Sequence, residues 1–307
     1  MIIYKLPECE VIDSLPEGCA LALGNFDGVH RGHQMLFELA AQTGLKCASW
    51  TFTTLVKPGL TVPYITDMKA KLRLFSYYGL DYAIFEDFES IRDMSCEDFA
   101  HEYLARGLKA ARVCCGFNFS FGRGGMGDAQ MLSDLLTEDG VDVEVLSPVI
   151  RRGKIVSSSA VRVAVMSGDM DGAYDLMGHA FGIKFPVEKG NQLGRTIGIP
   201  TVNQNFPEGH IVPKIGIYAC TVGVRGKVYI GVTNIGLRPT VSGGSLTVNS
   251  ETHIIDFEGD LYGEEIEVRF YERLRDEIKF NSLEDLADRI RLDIENTREF
   301  FARLYGG

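Results

Sequence analysis

The sequence predicts an α/β protein with two parts: a parallel sheet covered by helices, followed by a small antiparallel β-barrel with a terminal helix. In the first half, short apolar runs alternate with segments of helical periodicity, as in sheets whose parallel strands are joined by helices. After Pro186, strand-like segments follow one another with little helix between them, as in small barrels. A chain of 307 residues also exceeds the usual size of one domain.

The first half begins with a β-turn-α unit. The apolar run from Cys19 to Gly24 ends in a Gly-rich turn, and a helical pattern follows from His33 to Gln42. Four further strands are predicted, at Lys46 to Phe52, Asp81 to Phe85, Ala111 to Gly116 and Val141 to Ser147. Helical segments starting near Thr66, Ser95 and Asp128 separate them, and Ser95 lies three residues before Asp98, a helix-capping spacing.

The predicted boundary lies near residue 182, which gives domains 1–182 and 183–307. Two short helical segments, Ala160 to Met166 and Asp171 to Met177, precede it. Beyond it, Ile217 to Val224 and Lys227 to Val232 flank Arg225 and Gly226 as in a hairpin. Two more strands and a closing helix are expected at Leu246 to Ile255, Glu265 to Glu272 and Ser282 to Tyr305.

Composition limits the class of partner. Hydrophobic residues make up 45% and charged residues 24%, an ordinary globular composition. The net charge of −11 argues against nucleic acid or an anionic membrane as a partner, because both require a basic surface. A small phosphorylated ligand remains compatible, since a local group of N–H donors is enough to bind it.

The cysteines and the N-terminus indicate where the protein works. The seven cysteines include no Cys-x-x-Cys, so disulfides and a zinc site are not expected. The first 13 residues lack the pattern of a signal peptide, and no apolar run is long enough for a membrane helix. We therefore expect a cytoplasmic protein.

The turn from Gly24 to His33 is the first candidate site. It joins a strand to a helix and contains His30 and His33, three residues apart. Backbone N–H groups at a helix N-terminus, glycines that allow close approach and imidazole donors all suit a triphosphate. Taken alone, each histidine is more simply explained as a structural residue. The two histidines could also bind a metal ion, but the sequence offers no obvious third ligand.

Taken as a unit, His-x-Gly-His in this turn resembles the nucleotidyltransferase superfamily, whose domain is Rossmann-like. The form Phe26-Asp27-Gly28-Val29-His30 resembles its flavin branch, the bacterial FMN adenylyltransferases, and the similarity extends to about Gly178. The resemblance implies His30 and His33 as catalytic residues. It implies ATP contacts at Gly24, Asn25, Phe26, Asp27, Gly28, Ser157, Ser158, Ser159 and Arg162, and flavin contacts at Asn118, Phe119 and Phe121.

Each of these flanking groups has a plainer interpretation. The serines, taken alone, are more simply helix-capping residues. Core packing is as good an explanation for Phe119 and Phe121 as contact with a flavin. Two positions also depart from the family: Thr53 to Pro58 stand where a Pro-His-Pro type segment lines the flavin site, and Gly125 stands where Arg is common.

The second candidate site is the turn-rich segment from Gly190 to Asn203. Thr201 and Asn203 offer hard oxygen ligands suited to Mg²⁺, which takes its other ligands from water and phosphates. An irregular barrel entrance is the alternative. The segment Pro200-Thr201-Val202-Asn203 resembles the riboflavin kinase signature Pro-Thr-Ala-Asn, and further similarity covers nearly the whole domain.

The kinase resemblance implies roles for several residues. Glu251 occupies the family's catalytic glutamate position, where a general base would accept the proton of the attacking alcohol. Alternatively, Glu251 is a solvated carboxylate on a strand. The resemblance implies Arg275 as a flavin contact, and the alternative is that it belongs to a solvated run of charged residues. The implied ATP contacts are Gly190, Gly194, Arg195, Gly198 and Pro200.

The leading hypothesis is an enzyme that phosphorylates riboflavin to FMN in its barrel and adenylylates FMN to FAD in its first domain. ATP would be the co-substrate, Mg²⁺ the cofactor and pyrophosphate a product. A second hypothesis keeps the kinase but gives the first domain a weak, altered or regulatory role. A third is a non-catalytic flavin-binding protein, against which the intact Glu251, Thr201 and Asn203 argue.

Overall fold

The computed structural model describes residues 1–6, 18–53, 62–190, 193–239 and 246–306. Its contacts divide the chain into two compact units, Met1–Ser158 and Ser159–Gly307. The parallel sheet lies in the first unit and the antiparallel barrel in the second, so the predicted fold class is confirmed. The domain boundary near residue 182 stays a prediction.

The first unit is built on a six-stranded parallel sheet. Its strands are β1 (Ile2–Leu6), β2 (Cys19–Leu23), β3 (Cys47–Phe52), β4 (Tyr82–Glu86), β5 (Ala110–Gly116) and β8 (Asp142–Leu146), in the order β1-β4-β3-β2-β5-β8. Two short hairpins complete the strands: β6 (Ser120–Phe121) with β7 (Gly127–Asp128), and β9 (Ile150–Arg151) with β10 (Lys154–Ile155). Strand β1 was not predicted; it lies at the sheet edge, where Ile2 and Ile3 are exposed and Tyr4 is buried.

Helices cover both faces of this sheet. They are α1 (Arg31–Ala41), α2 (Met68–Tyr77), α3 (Phe88–Ile91), a π-helical segment (Asp98–Gly107) and α4 (Ala129–Glu138). On one face Ala20 and Ala22 pack with Phe37 of α1 and Phe75 of α2. On the other, Leu21, Leu23 and Trp50 pack with Phe99 of the π-helical segment and Leu132 of α4. Burial on both faces explains why the central strand β2 is apolar throughout.

The second unit begins with two helices and continues as a barrel. The helices are α5 (Ser158–Ser167) and α6 (Met170–Met177). The barrel strands are β11 (Gly182–Pro186), β12 (Val202–Asn205), β13 (Gly216–Val224), β14 (Lys227–Pro239), β15 (Leu246–Ile254) and β16 (Glu265–Arg275). The remaining helices are α7 (Leu193–Thr196) and the long α8 (Leu283–Tyr305), which begins at its N-cap Ser282.

The barrel is antiparallel and nearly closed. Its strand order is β11-β16-β13-β14-β15-β12. Near the gap between the two end strands, Glu188, which follows β11, forms a bridge with Asn203, and the buried Gln204 amide donates to the Phe185 carbonyl at 2.7 Å. The β13–β14 turn has positive φ at Arg225 and Gly226, as the predicted hairpin requires.

Candidate active sites

The loop between β2 and α1 has a strained backbone. Phe26 (φ 48°) and Val29 (φ 38°) adopt left-handed conformations that residues with a Cβ disfavour, and Gly28 lies between them. Both side chains are completely buried in the core beneath α1, which compensates for the strain. Gly24 also fits closely, because a Cβ there would lie 3.2 Å from the Phe26 ring. The core therefore fixes the shape of this loop.

Side chains from neighbouring elements hold the loop from outside. The Asn25 carbonyl accepts hydrogen bonds from the Thr51 hydroxyl at 3.1 Å and from Lys71 Nζ at 2.9 Å. Lys71 is buried, and burial lowers the pKa of its ammonium group, although the nearby Asp27 opposes this shift. A buried cation thus lies directly beside the predicted phosphate loop.

Asp27 fastens the loop to the segment before α2. Its buried carboxylate accepts from the backbone N–H groups of Ile65 at 2.9 Å and Thr66 at 3.0 Å. The Thr66 hydroxyl in turn accepts from the Gly28 N–H at 3.0 Å, and Ser158 donates to the Asp27 carbonyl at 2.8 Å. The Asp27 carboxylate is therefore engaged within the protein.

The two histidines form a stacked pair at the start of α1. His30 is the N-cap, and its Nδ1 accepts from the His33 N–H at 3.4 Å. The ring centroids are 3.5 Å apart and the planes are 15° from parallel. Burial, and to a smaller extent His30 and Lys71, lower the pKa of His33 well below its ordinary value. His33 is therefore neutral at pH 7, and its buried Nδ1 has no hydrogen-bond partner among the described residues.

The other residues predicted for this site have varied surroundings. Ser157 precedes α5, Ser158 begins it, and Ser159 and Arg162 follow on its first turns, with the Arg162 side chain buried. Asn118 is exposed. Phe119 is half-buried and stacks on Phe121 at 6.1 Å, while Phe121 is a buried member of the core.

Gly125 and the segment Thr53 to Pro58 are the two positions that depart from the family. Gly125 has a φ of 69°, so a residue with a Cβ would be strained there in this conformation. Thr54 to Pro58 lie outside the described residues. The sequence analysis did not identify Lys71. A lysine on an otherwise apolar helix face can, however, be recognised in a sequence as a candidate buried residue.

In the barrel, Thr201 and Glu251 are joined directly. The Thr201 hydroxyl donates to Glu251 Oε1 at 2.7 Å. Strands β12 and β15 are paired so that Asn203 lies opposite Glu251. Since opposed residues in antiparallel strands share a face, the predicted base and the two predicted metal ligands form one group.

Asn203 is held in a narrow space. Its Oδ1 accepts from the Asn249 amide at 3.0 Å, and both side chains are buried. A Cβ on Gly190 would lie 2.3 Å from Asn203 Nδ2. Only glycine at position 190 therefore allows Asn203 to keep this place.

The rest of the predicted nucleotide loop is similarly tight. A Cβ on Gly194 would lie 2.2 Å from the Ile199 carbonyl, and Gly198 has a φ of 76°. The Pro200 carbonyl accepts from His253 Nδ1 at 2.8 Å. Arg195 lies in α7, but its side chain falls outside the described part of the chain.

Two cavities of the barrel meet at Thr201. The larger, about 420 Å³, is lined by Thr201, Asn203 and Glu251 at one end and by apolar side chains that include Ile217 and Ile290 elsewhere. The smaller, about 230 Å³, is lined by Thr201, by apolar residues that include Ile254 and Phe257, and by the acidic Glu258 and Asp260. Thr201 therefore lies in the walls of both cavities.

Arg275 lines the larger cavity but is firmly anchored. Its Nε and Nη2 donate to the buried Asp293 carboxylate of α8 at 3.0 Å and 2.6 Å. Arg289 lies 3.5 Å from the same carboxylate. The pair therefore joins β16 to α8 at the cavity wall.

The donor chemistry of this group fits Mg²⁺. Thr201 and Asn203 supply neutral oxygens, and Glu251 supplies a carboxylate beside them. Mg²⁺ needs few protein ligands when phosphates and water complete its octahedron. Within the part of the chain that the structure describes, no cluster of three or more His, Cys, Asp or Glu suggests another metal site.

Comparison with family models finds two families. The FAD synthetase model matches residues 12–160, and the riboflavin kinase model matches residues 177–301. Together the two matched regions contain most residues of both candidate sites.

Curated relatives match along nearly the whole chain. A protein of Escherichia coli strain K12 is 35% identical over 295 residues, covering 93% of each chain. One of Bacillus subtilis strain 168 is 33% identical over 296 residues, covering 92% of this chain and 93% of the relative. Both are named bifunctional riboflavin kinase/FMN adenylyltransferase.

A crystal structure from Streptococcus pneumoniae, described as a macrolide-efflux protein, has the same fold. Its TM-score is 0.86 at 27% identity, and the match covers 97% of this chain and 99% of that one. Among the described residues of the present chain, no helix has the length and apolar character needed to cross a membrane.

Proposed function

Since the chain belongs to the family of bifunctional riboflavin kinases/FMN adenylyltransferases, we propose that it phosphorylates riboflavin in the barrel and adenylylates FMN in the parallel-sheet unit. The observation that carries the proposal is the position of Thr201. It lies between two pockets and donates a hydrogen bond to Glu251. Phosphoryl transfer between two bound molecules requires such an arrangement.

In the kinase reaction, riboflavin occupies the larger cavity and the adenine of ATP the smaller one. The ribityl 5′-hydroxyl oxygen attacks the γ-phosphorus of ATP, the bond from that phosphorus to the bridging oxygen breaks, and ADP leaves. Glu251 accepts the hydroxyl proton, since a neutral alcohol is a poor nucleophile. Gly190, Gly194, Gly198 and Pro200 shape the loop that covers the phosphates, to which Arg195 also contributes.

Thr201 and Asn203 would hold the Mg²⁺ of the kinase site. When bound, the ion would neutralise phosphate charge. Asn249 keeps the Asn203 oxygen in place by its hydrogen bond. Arg275, fixed by Asp293, forms a rigid wall beside the flavin.

In the adenylyltransferase reaction, an FMN phosphate oxygen attacks the α-phosphorus of ATP and pyrophosphate leaves. The attacking group is already an anion, so the protein needs to position and stabilise charge rather than remove a proton. The α1 N-terminus, Lys71 and the neutral His33 supply donors and charge at the loop from Gly24 to Gly28. His30, together with Ser157 to Ser159 and Arg162, completes the proposed ATP contacts.

The test is an assay of both reactions with purified protein, ATP and Mg²⁺. Riboflavin should give FMN and then FAD. Glu251→Gln should abolish FMN formation and keep FAD formation from added FMN, because it removes only the base. His30→Ala combined with His33→Ala should do the reverse.

Three results would contradict parts of this proposal. FMN without any FAD from the unaltered protein would leave a kinase with an altered first unit. Absence of both products would favour a flavin-binding protein. Loss of both activities in either folded variant would show that the reactions do not have one site each.

A further inference from the structure

The barrel has a gap between its end strands β11 and β12, here called the seam. Strand β12, which carries Asn203, is paired along its length with β15 on one edge. On the other edge, the described residues form one backbone bridge, in which the Glu188 N–H donates to the Asn203 carbonyl at 2.8 Å. A strand with so few backbone bonds on one edge opens more easily than a central strand. The position of Asn203 therefore depends on what else closes the seam.

The side chain of Gln204 spans the seam. Gln204 follows Asn203 in β12 and is completely buried. Its Nε2 donates to the Phe185 carbonyl at 2.7 Å and to the Ile266 carbonyl at 3.0 Å, so both protons of the NH₂ group are used. Phe185 and Ile266 are opposed residues of β11 and β16. One amide group thus joins three strands.

The oxygen of the same amide has a different environment. Gln204 Oε1 is buried and accepts no hydrogen bond from the described residues. A buried acceptor without a donor lowers stability, and an apolar side chain of similar length would avoid this cost. The favourable contribution of Gln204 therefore lies in the strands that its NH₂ group joins.

Asn205 supplies a second link across the seam. Successive side chains of a strand point to opposite faces, so Asn203 and Asn205 share the face opposite to Gln204. The Asn205 amide donates to Glu188 Oε2 at 2.6 Å. Because Glu188 is also the residue whose N–H bonds to Asn203, the two side chains support the backbone bridge from both faces of β12.

The seam determines where the proposed metal ligand lies. Asn203 is opposite Glu251, and at the seam a Cβ on Gly190, two residues after Glu188, would lie 2.3 Å from Asn203 Nδ2. A shift of β12 or of the segment at Glu188 would therefore move the Asn203 oxygen relative to Glu251. Mg²⁺ requires near-ideal octahedral geometry, so its affinity is sensitive to such a shift.

We propose that Gln204 and Asn205 are positioning residues of the kinase site, which close the seam and thereby hold Asn203 in the place that Mg²⁺ needs. The inference rests on the proposed kinase function and deepens it. Groups that orient a metal ligand change metal affinity by about tenfold to a hundredfold when they are replaced. Both residues directly follow the segment from Pro200 to Asn203, and neither belongs to the proposed ligand set.

The test is Gln204→Met, which keeps the length of the side chain and removes the NH₂ group. At fixed ATP, we expect the Mg²⁺ concentration that gives half-maximal FMN formation to rise about tenfold. The kcat at saturating Mg²⁺ and KM for riboflavin should stay within about twofold, because Glu251 and the flavin cavity are unaltered. Thr221→Val is the matched control, since it replaces a buried polar residue on β13 of the same barrel.

Metal binding is measured independently of activity with Mn²⁺, which takes the same oxygen ligands as Mg²⁺. The EPR signal of free Mn²⁺ decreases when the ion binds. With ADP present, the difference between the unaltered protein and Asn203→Ala gives the Mn²⁺ bound in the barrel; if there is no difference, Asn203 is not a ligand and the inference fails. Gln204→Met should weaken this binding about tenfold, and Thr221→Val should not change it.

Hydrogen exchange separates positioning from a purely structural role. The Glu188 N–H should exchange faster in Gln204→Met, because the seam opens more readily. Faster exchange with an unchanged Mn²⁺ affinity would overturn the inference. If the unaltered protein makes no FMN from riboflavin, the proposed function fails, and the Mn²⁺ measurement still decides the inference.

A Gln204→Met protein that does not fold would lose Mn²⁺ binding altogether. In that case Asn205→Ala decides, because Asn205 is partly exposed and links to Glu188 near the surface. We expect Mn²⁺ affinity to fall about threefold, the effect of one exposed charge-assisted hydrogen bond. An unchanged affinity in this variant contradicts the inference.

Discussion

His30, His33 and the buried Lys71 cannot all carry a charge without a large cost in free energy, because the two imidazole rings are stacked 3.5 Å apart beside the lysine. The outcome at His33 is a neutral ring, since burial and the neighbouring cations disfavour its protonated form. In the proposed site, His33 would therefore contribute a hydrogen bond and no full charge to a phosphate. The positive charge there would come from Lys71 and from the start of α1.

The lowered pKa of His33 leads to a prediction about the free energy of unfolding. In the unfolded chain His33 takes up a proton below its ordinary pKa of 6.5, whereas the folded protein resists that proton. The free energy of unfolding should therefore decrease as pH falls below about 6.5, with a slope of at most about 1.4 kcal/mol per pH unit from this group. His33→Gln should remove that part of the slope between about pH 6.5 and 5.

Urea unfolding followed by Trp50 fluorescence measures this slope in the first unit. His253→Gln is the control, because His253 lies in the barrel and should leave the Trp50 transition with its ordinary pH dependence. Equal slopes for the unaltered protein and His33→Gln would contradict the assignment of a neutral, buried His33.

At the scale of elements, the sequence predicted the helices and strands whose burial in the structure matches the hydrophobic pattern of their residues. Strand β2 is buried on both faces and reads as an apolar run, and α8 begins at Ser282 as its cap predicts, with the Asp285 N–H donating to Ser282 Oγ at 3.0 Å. Strand β12, Val202–Asn205, was not predicted, because three of its four residues are polar and give no apolar alternation.

The contacts within the sites were harder to predict than the motifs. Asp27 binds the backbone of Thr66, and Trp50 binds Tyr103, pairs that are 39 and 53 residues apart in the chain. Only the order of the strands brings such residues together. A motif predicts which residues meet a ligand, while the residues that support them depend on the topology.

The nucleotide loop of the barrel allows a prediction at this scale. Gly190→Ala places a Cβ 2.3 Å from Asn203 Nδ2, so the Asn203 side chain must move from its position opposite Glu251. We expect FMN formation to fall by about tenfold to a hundredfold, the usual effect of a displaced ligand-binding group. FAD formation from added FMN should not change.

Gly223→Ala is the control for this substitution. It lies in β13 of the same barrel, and the nearest atom to a Cβ there is 3.8 Å away, an ordinary contact. This variant should keep both activities. Full kinase activity in Gly190→Ala would show that the position of Asn203 does not matter for the reaction.

At the scale of the whole molecule, a chain of net charge −11 has two proposed phosphate sites, one around the loop from Gly24 to His33 and one in the barrel. Each proposed site has a cation in its wall, namely the buried Lys71 in the first and Arg275, which is paired with Asp293, in the second. Because the residues proposed for the two sites do not overlap, the two reactions should be separable by substitution.

A mixture of two inactive proteins tests this separation. Glu251→Gln cannot make FMN, and the variant with both His30→Ala and His33→Ala cannot use it, so neither alone should convert riboflavin to FAD. Combined in equal amounts with riboflavin, ATP and Mg²⁺, they should form FAD after a lag, because FMN released by one protein must accumulate before the other binds it. Flavin chromatography over time measures the lag, which added FMN should abolish. If the mixture makes FMN but no FAD, while added FMN is still converted, then FMN passes between the sites of one chain without release, and the units are not independent.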